Sequence, residues 1–187
     1  MYLLVGLGNI GREYELTRHN FGFLLLDQII KDYNLIEQSK KFKSEVFAGE
    51  ISGEKIIAIK PQTFMNLSGS SVTEAAQFYK IAPEKILVLH DDLDLELGRV
   101  KVKIGGGHAG HNGLRSIDET IGKNYMRLRL GIGRPENEAF EVSDYVLGKF
   151  SKFERDIVEK TNEKISKLIG EILVGKADQF LNKFHQK

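Results

Sequence analysis

Short apolar runs alternate with stretches of helical periodicity along the whole chain, and this alternation most restricts the folds open to it. Leu3 to Leu7 is an apolar strand pattern containing a glycine, and Phe21 to Tyr33 sets Phe21, Leu24, Leu25, Ile29 and Ile30 on one helical face. Val46 to Ile51 and Lys55 to Lys60, split by Ser52-Gly53-Glu54, predict a hairpin that Pro61 ends. Ser70 to Tyr79 predicts a helix facing inward through Val72, Ala75, Ala76 and Tyr79. Ile86 to His90 has the unbroken apolar character of a parallel strand, whereas Arg99 to Ile104 and Met126 to Ile132 alternate basic with apolar residues. Gly113 to Ile121, Ser151 to Leu173 and Lys176 to Phe184 carry helical spacing. The expected fold is α/β, a single domain over 1–187 with a central twisted mixed β-sheet flanked by helices. A length of 187 residues at 41% hydrophobic suits one sizeable core.

Composition removes several chemistries. The chain has no cysteine, so disulfides, thiolate nucleophiles and cysteine-held metals are excluded. No segment reaches the ~18 apolar residues of a membrane span, and Met1-Tyr2-Leu3-Leu4-Val5-Gly6 lacks the basic start of a secretion signal. We expect a cytoplasmic monomer with no membrane partner. A net charge of +1, from 27 basic and 26 acidic residues, gives no global pull on polyanions, so contact with nucleic acid must rest on a local patch.

Five segments concentrate reactive groups. Gly105-Gly106-Gly107-His108-Ala109-Gly110-His111-Asn112-Gly113 is glycine at five of nine positions, which strips side-chain bulk from a loop that presents imidazole and carboxamide. Gly6-Leu7-Gly8-Asn9-Ile10-Gly11 has the spacing of a dinucleotide fingerprint, but its context fails. Arg12 to Asn20 intervenes before any helix, and Asp27 falls on a polar helix face where no ribose can be held. Thr17-Arg18-His19-Asn20 places a histidine directly before the first helix. His90-Asp91-Asp92-Leu93-Asp94 begins at the carboxyl end of a buried strand, the edge where open α/β sheets hold ligands. Thr63-Phe64-Met65-Asn66-Leu67-Ser68-Gly69 brings a carboxamide to the start of a helix, where Asn66 or Ser68 serves equally well as an N-cap.

Taken in this order and spacing, Gly6 to Asn9, Thr17 to Asn20, Thr63 to Gly69, His90 to Asp94 and Gly105 to Leu114 resemble bacterial-type peptidyl-tRNA hydrolase over nearly the whole chain. The resemblance implies hydrolysis of the ester that joins a nascent peptide to the 3′ end of tRNA, which recycles tRNA released prematurely from the ribosome. It implies that His19 is the catalytic base, Asp91 its orienting carboxylate, and Asn9, Met65, Asn66 and Asn112 substrate-positioning groups; we place Tyr14 in the same substrate-binding set. The family usually carries proline after the first asparagine, and Ile10 stands there instead without removing a reacting group.

Chemistry points the same way. With no cysteine and no G-x-S-x-G elbow, a water activated by His19 is more economical than a covalent intermediate. General-base help is worth ~10²–10⁴ in rate, and Asn66 and Asn112 are candidates to cradle the oxyanion. Lys101 with Lys103, and Arg127 with Arg129, share strand faces by the two-residue period, and Lys101, Lys103 and Arg129 are the expected tRNA phosphate contacts. No cofactor or metal is expected, since His108-x-x-His111 alone does not define a metal site. A non-catalytic RNA-binding protein would share the basic ladders but would not need His19 paired with Asp91. Gly133-Arg134-Pro135 and Gly148 bound a segment that is either a hinged lid or a plain surface connection.

Overall fold

The computed structural model describes residues 1–187. Its strands are β1 (Tyr2–Gly6), β2 (Ile36–Glu37), β3 (Ser44–Ile51), β4 (Glu54–Pro61), β5 (Ile86–Asp92), β6 (Val100–Ile104) and β7 (Met126–Gly131). They form one seven-stranded sheet in the order β2-β3-β4-β1-β5-β7-β6. The four inner strands β4, β1, β5 and β7 run parallel, with β3 and β6 added antiparallel on either side. Parallel strands are covered on both faces, which is why all five residues of β1 are buried and why β5 reads as a continuous apolar run.

Six helices supply the cover: α1 (Phe21–Asp32), α2 (Ser68–Tyr79), α3 (Asn112–Ile121), α4 (Val142–Val146), α5 (Lys152–Leu173) and α6 (Ala177–His185). On one face, Phe21, Leu25 and Ile29 of α1 pack with Ile165 and Ile169 of α5 and Phe180 of α6. On the other, Val72 and Ala75 of α2 meet Leu114 and Ile117 of α3. Each buried Leu, Ile, Val or Phe side chain among these contributes roughly 1.5–3 kcal/mol relative to exposure. The helix from α5 starts at a capping box, in which Ser151 Oγ accepts from Glu154 N–H and the Glu154 carboxylate accepts from Ser151 N–H.

The crevice follows from connectivity. The chain leaves β1 through α1 towards the β4 side, and it leaves β5 towards β6 and β7, so the connections diverge between β1 and β5 at their carboxyl ends. Close helix seating narrows that gap. A Cβ at Gly22 would stand 2.2 Å from the Leu89 carbonyl, so only glycine lets the first turn of α1 lie on β5. At Gly69 a Cβ would stand 2.2 Å from the Ser116 carbonyl, which joins α2 to α3 in the same way.

Most elements fall where periodicity places them, with ends moved by one or two residues. The two-residue β2 and the five-residue α4 carry too little pattern to be read from sequence. α2 opens at Ser68 and α3 at Asn112, earlier than their apolar spacing suggests. The segment 134–150 is tethered at its far end: Tyr145 Oη donates to the Ile132 carbonyl at 2.9 Å, Arg18 N–H donates to the Gly148 carbonyl at 3.1 Å, and Phe150 N–H to the Leu16 carbonyl at 2.9 Å.

Candidate active site

His19 sits in a 3₁₀ turn, Arg18–Asn20, directly before α1, and Asp91 is the second-last residue of β5. The seating of α1 on β5 brings them together. Nδ1 of His19 lies 3.0 Å from both Oδ1 and Oδ2 of Asp91, in a buried setting where His19 is 8% and Asp91 4% exposed. A carboxylate only accepts, so Nδ1 carries the hydrogen and Nε2 keeps the lone pair. Burial by itself pushes the His19 pKa down, but the charge and hydrogen bond of Asp91 outweigh it and hold the value above that of an ordinary histidine.

A second imidazole shares the carboxylate. His111 caps α3, its Nδ1 accepting from Gly113 N–H at 3.1 Å and Leu114 N–H at 3.3 Å, while its Nε2 lies 3.0 Å from Asp91 Oδ1. Two donors on Nδ1 require a lone pair there, which fixes the proton on Nε2. Burial lowers the His111 pKa and Asp91 offsets only part of that, in keeping with a neutral ring. Burial also raises the Asp91 pKa, but the two imidazoles overcome it and hold the carboxyl well below the usual carboxylate range. His90 completes the group: its Nδ1–H donates to the Asp91 carbonyl at 2.8 Å, its Nε2 is buried without a partner, and burial pushes its pKa down to about 4.

These side chains line a cleft of about 640 Å³. His19, His90, Asp91 and His111 lie on one side, with Asn112, Lys103, Arg129 and Arg134 around them and Val142, Ser143 and Val146 of α4 forming a wall. Asn112 also lines an adjoining cleft of about 400 Å³ with Met65 and Asn66, so the two carboxamides from separate loops face a shared approach. Asn66 and Asn112 are both exposed, and neither Asn66 nor Ser68 caps α2. Asn9 and Tyr14 line neither cleft.

The basic ladders divide. β6 and β7 pair Lys101 with Arg129 and Lys103 with Arg127, which puts all four on one face of the sheet. Arg127 is nevertheless unavailable to RNA, a correction to the expected second ladder. It is 2% exposed, bound to Asp118 at 2.9 Å and donating to the Gly107 and Gly106 carbonyls at 2.7 and 3.3 Å. It spends its charge holding the glycine loop and α3 against β7. Arg129 pairs with Asp92 at 2.7 Å at the cleft, Lys103 lines the cleft and is exposed, and Lys101 lines a separate depression beside α6.

His19, Asp91 and His111 bring three potential metal-ligand atoms within 4.8 Å of one another, yet the donor set does not suit a cation. Binding through His111 Nε2 would drive its proton onto Nδ1, against two backbone N–H groups. His108, the partner expected from the H-x-x-H spacing, is outside this group and accepts from Gly110 N–H at 3.1 Å.

The family model described as peptidyl-tRNA hydrolase matches residues 3–187. This chain belongs to the peptidyl-tRNA hydrolase family. It is 49% identical over 184 residues to a peptidyl-tRNA hydrolase from Rickettsia canadensis, covering 98% of this chain and 99% of that one. A peptidyl-tRNA hydrolase from Rickettsia conorii is 50% identical over the same share of each chain. The crystal structure of peptidyl-tRNA hydrolase from Acinetobacter baumannii superposes with a TM-score of 0.91 at 40% identity, covering 98% of this chain and 94% of that one.

Two residues that sequence reading passed over hold the site of this family member in shape. Asn20 clamps the turn after β1, its Oδ1 accepting from Asn9 N–H at 2.7 Å and its Nδ2 donating to the Asn9 carbonyl at 2.9 Å, so Ile10 in place of proline does not free that turn. Arg18 lies over the Tyr145 ring at 4.3 Å and pairs with Glu154 at 3.1 Å, which ties the His19 turn to the α4 wall and the start of α5. The signal for Asn20 was its place beside His19. Arg18 gave none, because its partners lie more than a hundred residues away.

Proposed function

We propose that this chain hydrolyses peptidyl-tRNA by direct attack of water, with His19 as general base. Nε2 of His19 takes a proton from water as the water oxygen bonds to the ester carbonyl carbon; the resulting imidazolium is stabilised by Asp91 and returns the proton to the departing ribose oxygen as the ester C–O bond breaks. Asn66 and Asn112 donate to the oxyanion that forms between these steps. Met65 sets the spacing of those carboxamides, since its sulfur packs under Gly113 at the start of α3. Asn9 and Tyr14 contact the substrate further out, on the loop that leads to His19. Lys103 and Arg129 hold tRNA phosphates at the cleft, with Lys101 extending the track along β6. Action as a monomer in the cytoplasm belongs to the same reading.

What carries the proposal is the buried His19–Asp91 pair at 3.0 Å, in a tautomer that leaves a basic nitrogen at the cleft. An RNA-binding protein without catalysis has no use for it. Release of free N-acetyl-amino acid from N-acetyl-aminoacyl-tRNA tests the reading, and His19→Ala is expected to lower the rate by ~10²–10⁴. Near-normal release by that variant would remove His19 as base, and no release by the parent chain would remove the hydrolase reading.

A further inference from the structure

We propose that His111 is a positioning residue for this reaction: locked by the first turn of α3 as a neutral Nε2–H donor, it fixes the Asp91 carboxylate in the orientation that serves His19. The proposal rests on the reading of His19 as base and adds a residue which the site's glycine loop contributes.

Three observations carry it. First, the tautomer is dictated by backbone. Gly113 and Leu114 N–H both point at Nδ1, so a proton cannot sit there and the ring stays neutral. Second, its one remaining hydrogen goes to Asp91 Oδ1, the oxygen that His19 Nδ1 also approaches at 3.0 Å. A carboxylate held by two donors from different loops cannot rotate away from either. Third, the charge is right. The His19 and His111 rings stand 4.7 Å apart, so a protonated ring at 111 would repel the imidazolium that must form on His19, whereas a neutral donor steadies Asp91 without that penalty. The other titratable groups facing His111 are His90, with ring centroids 5.4 Å away, and Asp92, both from β5. His111 therefore joins the start of α3 to the end of β5, and the glycines on either side let the loop place it there.

Two substitutions separate holding the helix from holding the carboxylate. His111→Asn supplies an oxygen near the position of Nδ1, so α3 keeps its cap, but the side chain is too short to reach Asp91 as well. His111→Gln supplies an amide nitrogen near the position of Nε2, so the donor to Asp91 is kept and the cap is lost. On N-acetyl-aminoacyl-tRNA, His111→Asn is expected to lower kcat by roughly tenfold or more at unchanged KM, with little change in melting temperature. Its acid limb moves to higher pH, because Asp91 with one donor fewer binds the His19 imidazolium more strongly. His111→Gln is expected to melt lower and to keep kcat within about threefold, less than the loss of one charge-assisted hydrogen bond brings. The inference is overturned if His111→Asn matches the parent in kcat and pH profile, or if both variants lose activity in proportion to stability. ¹⁵N NMR of the free protein gives a readout independent of turnover: His111 shows a protonated Nε2 and a bare Nδ1 that do not change from about pH 5.5 to 8.5, and titration in that range overturns the inference even if the chain is an active hydrolase.

Discussion

Replacing Asp91 with asparagine removes one charge and turns one accepting oxygen into a donating nitrogen with little change in volume, and the surrounding hydrogen bonds decide how the new carboxamide must lie. His111 Nε2–H cannot give up its proton, so it takes the carboxamide oxygen. The amide nitrogen then stands in the place of Oδ2, 3.0 Å from His19 Nδ1, and sets its hydrogens against the Nδ1 hydrogen, although Nδ1 also lies 3.0 Å from the oxygen in the place of Oδ1. That clash favours the tautomer with the proton on Nε2, in which the nitrogen at the cleft is no longer a base. The charge lost is also large: at about 4 Å with an effective dielectric of about 20, Coulomb's law gives roughly 4 kcal/mol, or about 3 pK units, as a ceiling on the support Asp91 gives the imidazolium. Both effects act together on turnover. We expect Asp91→Asn to lower kcat/KM by ~10²–10⁴, and its residual activity to show an acid limb below that of the parent, which itself lies above the ordinary histidine value of about 6.5. The assay is release of N-acetyl-amino acid from N-acetyl-aminoacyl-tRNA between pH 5 and 9. A second change, His111→Asn, frees the introduced carboxamide to turn its oxygen back to His19, so the double variant is expected to recover part of the loss. Activity of Asp91→Asn within about threefold of the parent, or an acid limb in its original place, would refute the tautomer reasoning, since either means that His19 does not depend on this carboxylate.

Arg127 and Lys103 should part company: Arg127→Met leaves Asp118 without its buried cation and is expected to destabilise by about 3–5 kcal/mol in urea melts, whereas Lys103→Ala leaves stability unchanged and lowers the salt slope of tRNA binding by about one. Equal salt slopes for Lys103→Ala and the parent would take Lys103 off the RNA surface. Gly22→Ala drives a methyl towards the Leu89 carbonyl, lifting α1 from β5; a loss of about 2–4 kcal/mol with a parallel loss of activity is expected, and wild-type melting would show that the seating is not tight. His90 is kept neutral by burial, with a pKa of about 4 in the fold against about 6.5 unfolded, so the unfolded chain gains a proton first as pH falls. Stability held above about pH 6.5 is therefore lost between there and pH 4, by at most about 3 kcal/mol, and His90→Gln is expected to flatten that part of the curve.

Much of this site was legible because its two central groups stand at element ends. His19 precedes an amphipathic run, Asp91 closes an apolar one, and a parallel sheet brings such ends to one edge. Arg127 shows where strand alternation stops being informative. Alternation places it correctly on the face of Lys103, but whether that face is open depends on α3, whose Asp118 arrives from another part of the chain and takes the charge. The same limit applies to His111. Spacing shows a histidine in a glycine-rich loop, and only the direction of two backbone N–H groups reveals which nitrogen bears the proton. A usable hint was there: a hydrogen-bonding residue directly before the helical run, where N-caps fall, although histidine is not a customary cap.

The glycine loop answers a difficulty that the dyad creates. A carboxylate at the end of β5, enclosed by its neighbours in the sheet, is driven by burial towards its neutral form, and as a neutral acid it neither orients His19 nor stabilises its cation. Enough donors must reach it to keep it ionised, yet each must be uncharged, because a lysine or arginine there would satisfy Asp91 and cancel its effect on His19. A neutral imidazole whose tautomer is set by helix backbone meets both conditions, and Arg127 holds the loop that carries it by binding the Gly106 and Gly107 carbonyls from below. Arg127, one rung of a basic ladder, thus sits in the chain of contacts that leads, through the glycine loop and His111, to the charge on Asp91 and the base strength of His19.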